Sequence, residues 1–431
     1  MNPPHGLREL PNPLGETILA GRAPSGLRVL IHPRPDYERT FAALATNFGS
    51  VDRVAGLSGA PVPEGLAHFL EHKLFEDREG DVSDRFATLG ASTNAMTGFC
   101  TTTYIASTVG DPLPSLELLL RFVQDPWFTD ELVAKEQGII AQEIRMYDDD
   151  PDWRVFFGLL QSLYANHPVR DNIAGSVESI AEIDAATLQR CYGLFYHPSN
   201  LCLAVSGGVE VERLMECVLA DQAARGVDAL PAHRRLPVEE PRGVVRERYE
   251  ERLPVSRTRW LLGIKELDPG GDGETVLRRE LTTHILLDII FGRSSSGFES
   301  LYEEGLIDES WGVGHSAEES FAFSTLGGDT DDPEALEARV RAEFGRARDG
   351  ALDTQALTRV RRKLLGGMLR ALDSPEHVAY GLIGGAFRGL TPFAALQLVE
   401  SIGPEDLRRR LDEHVRDEAM AVSMVRPLDG P

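Results

Sequence analysis

The order of sequence patterns in the first half of this chain returns in the second, and that repetition constrains the fold more than any other feature. In the first half, the alternating stretches LRVLIHP and TFAALATNFGS precede a helical stretch at 65–76. A hairpin-like stretch follows, GASTNAMTGFCTTTYIASTVG, then the helical segments PLPSLELLLRFVQD and TDELVAKEQGIIAQEIRMY, then the apolar strand NLCLAVSGGV. In the second half, RTRWLLGIKE leads to VLRRELTTHILLDIIFG, WGVGHSAEESFAFSTLGGD, PEALEARVRAEFGRARDG, DTQALTRVRRKLLGGMLRAL and AMAVSMVRP in the same order. Strand pair, helix, strand pair, helices and strand occur twice. The pattern predicts an α+β chain of two homologous domains, each a mainly antiparallel sheet with helices packed on one face. Between the halves, ADQAARGVDALPAHRRLPVEEPRGVV carries prolines and charges and no apolar period, so it reads as a linker. The expected boundaries are 1–227, a linker at 228–245, and 246–431.

With 431 residues the chain exceeds one ordinary core, which agrees with two domains. Its 44 basic and 68 acidic residues leave 44 − 68 = −24, which disfavours nucleic acid as a partner and mostly serves solubility. No apolar run is long enough to span a membrane, and the start, MNPPHGLRELPNPLGET, lacks the charged head and apolar core of a secretory signal. Cys100, Cys191, Cys202 and Cys217 are scattered, so reduced cytoplasmic thiols are expected rather than a disulfide framework.

The chemistry concentrates in GLAHFLEHKLFE, residues 65–76, where good helix formers surround His68, Glu71 and His72. Residues three and four apart share a helix face, so the two imidazoles stack one turn apart with Glu71 beside them. Such a triplet either decorates a wet face or converges on a metal. Two histidines at this spacing can chelate zinc, and Glu71 is placed to act as a general base. H-x-x-E-H is the inverted form of the zinc-peptidase motif. Catalytic zinc needs a third protein ligand. AKEQGIIAQEIRMYDDDPDW is the best source: Glu136 and Glu143 lie two helical turns apart, on one face, around an apolar stretch. Either they are ordinary solvated helix glutamates, or Glu143 is the third ligand and Glu136 a carboxylate supporting the site.

H-x-x-E-H followed by E-x-x-x-x-x-x-E, with 143 − 72 = 71 positions from His72 to the last glutamate, resembles the pitrilysin/insulinase family of zinc peptidases. The family's spacing is often a few residues longer, which a shorter loop accommodates. The resemblance implies that Glu143 ligates one Zn2+ per chain and that Glu136 supports the site. STNAMTGFCTTTY resembles the family's edge strand that holds the peptide backbone, implying substrate contacts at Asn94 and Ala95. FYHPSNLCLAVSGGV resembles the strand closing the first domain. Size and two-copy plan resemble the half-size bacterial members related to the mitochondrial processing peptidase. VQDPWFT, MYDDDPDW, LYEEGLID and GGDT resemble the YmfH-type subgroup.

The resemblance also exposes a deficit. Active members carry an arginine and a tyrosine in a Leu-Arg-x-x-x-Gly-Leu-x-Tyr pattern in a second-half domain. Here the matching stretch is FESLYEEGLIDESWG, which is one residue short: the arginine position falls on Leu301 or Tyr302 and the tyrosine position on Asp308. No arginine or lysine lies between Ser294 and Asp329, and an acid cannot stabilise a developing oxyanion. The second half also lacks H-x-x-E-H, leaving His284 as an ordinary helix residue. The expectation is a zinc endopeptidase subunit for short or unfolded peptides, paired with a homologous chain that supplies Arg and Tyr, or otherwise a homodimer. The alternative is a metal-bound but non-catalytic binding or assembly subunit. Among weaker signals, Asp150 followed by Pro151 reads as a helix start rather than a calcium loop. FGRSSSGF reads as a helix-ending loop, and His167 and His197, each before proline, as loop residues.

Overall fold

In the computed structural model, residues 6–55, 60–231, 233–350 and 354–428 are described. The chain packs into two compact units: unit 1 comprises Met1–Ile144, Asn172–Leu236 and Leu369–Ala394, and unit 2 comprises Arg145–Asp171, Pro237–Met368 and Ala395–Pro431.

Unit 1 is built on β1 (Arg8–Glu9), β2 (Leu19–Arg22), β3 (Arg28–Pro33) and β4 (Arg39–Thr46), followed by two short ladders, β5 (Val54–Ala55) with β6 (Ala60–Pro61) and β7 (Glu76–Asp77) with β8 (Gly80–Asp81). Then come β9 (Ser92–Thr97), β10 (Thr102–Val109) and β11 (Leu201–Gly207), giving a sheet of order β1-β2-β3-β11-β4-β10-β9. Every pairing in it is antiparallel except β3 with β11. Its local helices are α1 (Leu66–Leu74), α2 (Val82–Thr88), α3 (Leu113–Gln124) and α4 (Asp130–Asp148), whose last turn enters unit 2.

Unit 2 repeats the plan. Strands β12 (Arg248–Leu253), β13 (Thr258–Lys265), β14 (Gly312–Ala317), β15 (Ala322–Thr330) and β16 (Met420–Pro427) form the order β12-β16-β13-β15-β14. That is the order β3-β11-β4-β10-β9 of unit 1, again with only the first pair parallel. The α+β class and the duplicated, mainly antiparallel architecture therefore hold. The closing strand of each copy slots between the first two long strands, which is why both NLCLAVSGGV and AMAVSMVRP are mostly apolar and almost wholly buried: they are central and covered on both faces.

The units depart from the contiguous boundaries 1–227, 228–245 and 246–431, because each sheet takes one helix from the other half of the sequence. In unit 1, side chains alternate between two buried faces. Tyr104 packs on Phe75 and Phe122 among the local helices. Phe41, Ala43, Ala45, Leu30 and Ala204 face the other way, onto Val378, Ala379, Leu382 and Ile383 of the helix Pro375–Phe387. The positions 378, 379, 382 and 383 form one helical stripe, and each large aliphatic buried there contributes about 1.5–3 kcal/mol. In unit 2, Trp260, Leu262, Ile264, Val422 and Met424 share the main core. The opposite face packs on α5 (Pro151–Leu163), whose Leu159 lies against Gly263. Asp150 caps α5 by accepting from the N–H groups of Asp152 and Trp153, with Pro151 at the first position, as the sequence predicts. The region 228–245 has no regular strand or helix among its described residues, yet Glu240 accepts from the backbone N–H groups of Ala165, Asn166 and His167 and from Lys265 Nζ at 2.8 Å. The part from Pro237 on is thus clamped within unit 2, whereas the part before it belongs to unit 1, where Arg235 pairs with Asp52.

The docking of α5 depends on Gly158, where an added Cβ would stand 2.4 Å from the Tyr249 ring and 3.0 Å from Ser423 Oγ. Gly158→Val overpacks this contact at a cost of about 1–3 kcal/mol. The melting temperature falls by roughly 2–12 °C; an unchanged melting curve would show that α5 is not held this closely.

Candidate metal centre

The start of α1 is fixed by Gly65, whose φ of 82° is left-handed and whose missing Cβ would meet the Ala174 carbonyl oxygen at 2.4 Å. From there Leu66, Ala67, Phe69, Leu70 and Leu74 are buried, which sets the rotation of the helix and turns His68 and His72 to a common side. Their ring centroids lie 4.5 Å apart. On α4, Val133, Glu136, Ile140 and Ile144 are buried in one stripe, so the apolar packing that seats this helix also carries Glu136 inward and Glu143 to its rim.

The two elements meet at three side chains. His68 Nε2 lies 3.7 Å from Glu143 Oε1, and His72 Nε2 lies 3.5 Å from Glu143 Oε2. One ligand atom from each of the three lies within 4.8 Å of the others, and among the described residues this is the one group of such donors that could hold a metal ion. The separations are long for hydrogen bonds but close to the ~3.4 Å between donors around a tetrahedral zinc with ligand distances near 2.1 Å. The nitrogen and carboxylate donor set therefore fits zinc in chemistry and in spacing. Burial drives the His68 imidazole down to about 4, so it is neutral and ready to ligate at neutral pH. His72 is raised: burial pulls it down, but the hydrogen bond to Glu136 and the charges of Glu143 and Glu136 outweigh that.

His72 Nδ1 lies 3.2 Å from Glu136 Oε1, the contact by which an outer carboxylate fixes the ring and aims its Nε2 at the cluster. Burial pushes the Glu136 carboxyl up, but His72 and Lys73 hold it below the ordinary range. His68 Nδ1 is buried and makes no hydrogen bond. Glu71 accepts from the Thr97 hydroxyl at the end of β9, and its carboxyl is raised, chiefly by burial. A carboxylate in that state suits proton transfer better than an exposed one.

Asn94 and Ala95 lie on β9, the edge strand that among the described residues pairs only with β10. Exposure alternates along it: Ser92, Asn94 and Met96 are exposed, while Thr93, Ala95 and Thr97 are half-buried. The edge leading to Thr97 is therefore free to accept another strand beside α1. Two participants escaped the sequence reading, Lys73 and Thr97. Lysine is mostly exposed and threonine is a common strand former, so neither carries a local signal.

Among the described residues unit 2 holds no comparable centre. His284 is exposed, and Asp288, four residues on, is engaged by Lys363 Nζ at 2.9 and 3.0 Å. Leu301 is fully buried, Tyr302 is exposed and stacks on Phe298, and Asp308 is paired with Arg257 and Ser310. His167 and His197 each accept from a backbone N–H two residues on and cap short helical turns. Ser324, His414 and Glu266 lie in the order of a hydrolytic triad, with Ser324 Oγ 2.7 Å from His414 Nε2. They are at most 5% exposed and Arg410 clasps Glu266, so no substrate reaches them.

A chain with this duplicated sheet and one inverted zinc motif has the plan of a metallopeptidase of the insulinase type. The family model described as Insulinase (Peptidase family M16) matches residues 58–177, and that described as Peptidase M16 inactive domain matches residues 182–364. The chain is 39% identical to the uncharacterized zinc protease YmfH of Bacillus subtilis over 96% of its own length and 97% of the relative's. An M16-like peptidase from Alicyclobacillus acidocaldarius superposes with a TM-score of 0.92 at 37% identity, covering 98% of this chain and 100% of that one. The periplasmic protease PqqL of Escherichia coli shares the fold at 17% identity and a TM-score of 0.74, with 98% of this chain matching 48% of that chain. The chain belongs to the M16 peptidase family.

Removing the carboxylate ligand tests the centre. Wild-type chain dialysed with zinc retains one equivalent, and Glu143→Ala retains well under one while keeping its far-ultraviolet circular dichroism. A full equivalent on Glu143→Ala, measured by plasma mass spectrometry, would remove Glu143 from the ligand set.

Proposed function

We propose that this chain is the zinc-bearing subunit of an endopeptidase acting on short or unfolded peptides. The observation that carries the reading is the convergence of His68, His72 and Glu143 at metal spacing with the half-buried Glu71 alongside. Zinc in such a site supplies a Lewis acid that makes water nucleophilic near neutral pH. Glu71 takes the proton from the attacking water and passes it to the leaving amine, with the Thr97 hydroxyl holding its carboxylate in place. Glu136 orients His72. The free edge of β9 at Asn94 and Ala95 receives the peptide as an added strand, so backbone hydrogen bonds bind it with little regard to side chains.

The partner is a homologous chain that supplies an arginine and a tyrosine for the developing oxyanion. The sequence deficit at Leu301, Tyr302 and Asp308 supports this, as does the coverage of only 48% of PqqL, a chain long enough to hold a second half of similar size. A homodimer is the fallback. No helix among the described residues is long and apolar enough to cross a membrane, and a reducing cytoplasmic setting suits four cysteines that form no disulfide. The match of residues 182–364 to an inactive-domain model favours a second reading, a metal-bound but non-catalytic assembly or binding subunit.

Glu71→Gln separates the two. With a homologous partner present, the variant keeps its zinc and loses about 10²–10⁴-fold in cleavage of a quenched fluorescent peptide. Full activity in Glu71→Gln would contradict the assigned base, and full activity of the isolated wild-type chain would contradict the divided site. A wild type that stays inert with every homologous partner leaves the non-catalytic reading standing.

A further inference from the structure

We infer that Lys73 is a positioning residue for the metal site: its buried ammonium ties α1 to α4 so that Glu143 meets the two imidazoles at ligand distance. The inference rests on the zinc-binding reading of His68, His72 and Glu143.

Lys73 is fully buried, with 0% of its side chain exposed. Burying an ammonium costs several kcal/mol, and a buried ion pair on average stabilises no more than apolar side chains of the same volume. Methionine would fill this space with no charge to desolvate. The charge therefore needs a reason other than stability, and its partners supply one. Lys73 Nζ lies 2.8 Å from Glu76 Oε2 and 3.5 Å from Glu136 Oε2. The other oxygen of Glu136 lies 3.2 Å from His72 Nδ1. The other oxygen of Glu76 accepts from Lys135 Nζ at 3.1 Å.

The resulting chain of side chains runs Lys135, Glu76, Lys73, Glu136, His72, passing from α4 through β7 to α1, back to α4 and again to α1. Lys135 is 58% exposed, so its pair contributes little; the interior link is Lys73. With Lys73 engaging one oxygen of Glu136, the other is left for His72, whose Nδ1–H then donates and whose Nε2 lone pair faces the cluster. Glu143 stands two turns further along α4, about 10 Å on. A shift of α4 that loosens the Glu136 contact thus moves the third ligand as well.

The test is zinc affinity, by chelator competition, for the whole chain as wild type, Lys73→Met, Glu76→Gln, Glu136→Gln and the double variant Lys73→Met/Glu136→Gln. Visible spectra of the cobalt-loaded forms and melting curves of the metal-free forms accompany it. Lys73→Met weakens zinc about 10–100-fold and alters the cobalt spectrum, with the metal-free fold retained. Because Lys73 acts through Glu136, the double variant is no weaker than Glu136→Gln alone. Glu76→Gln, which removes the other anchor without burying anything new, weakens zinc in the same direction and carries the test if Lys73→Met fails to fold. Unchanged affinity and spectrum in the folded variants, or losses that simply add in the double variant, would overturn the inference while leaving the zinc ligands intact. A wild type that takes up no zinc would overturn the ligand reading itself, and this inference with it.

Discussion

The contact between α1 and α4 is the constraint on which the functional centre depends. Neither helix holds a metal alone: α1 offers His68 and His72, and α4 offers Glu143, 71 positions beyond His72. Bringing them to 3.5–3.7 Å means placing polar and charged groups against an interior that also contains Ile140, Ile144 and Leu70. The apolar stripes set the approach, and the charges on Lys73, Glu136 and Glu76 set the register. An isolated carboxylate at the position of Glu136 would be costly; between an ammonium and an imidazole it becomes the part that orients a ligand.

The second structural theme is burial of each sheet on both faces by helices from different parts of the sequence. Local helices cover one face, as the repeated pattern predicts, and a helix from the other half covers the second. Removing Pro375–Phe387 from unit 1, or α5 from unit 2, would expose a sheet face of apolar side chains to water. The two halves of the sequence are thus not independent folding units despite being copies. This also explains why β4 and β11 are buried along almost their whole length rather than alternating.

Much of this was legible from sequence, and the parts that were not have a common cause. Alternating and helical periods are local, so the duplicated order of elements could be read directly. The stacked histidines and the Glu136/Glu143 pair could be read because a helix fixes spacing. Helix exchange could not: nothing local in PEHVAYGLIGGAF says which sheet it will cover, and Gly158 and Gly263 show their purpose only when Tyr249 and Leu159 are found against them. Lys73 and Thr97 were invisible because the contacts that tie them to the site, with Glu136 and with Glu71, are made to residues distant in sequence. The resemblance to the insulinase-type peptidases added the direction of the missing half, and the structure fills the Asp308 position with an ion pair to Arg257 rather than with a phenol.

The central claim is that this M16 chain carries a mononuclear zinc centre built by α1 and α4. X-ray absorption at the zinc edge of the loaded chain tests it most directly. The account predicts two imidazole nitrogens and low-Z oxygen scatterers at about 2.0–2.2 Å, with no sulfur. Sulfur at about 2.3 Å, or an ion surrounded only by water-like oxygens with no imidazole scattering, would contradict it.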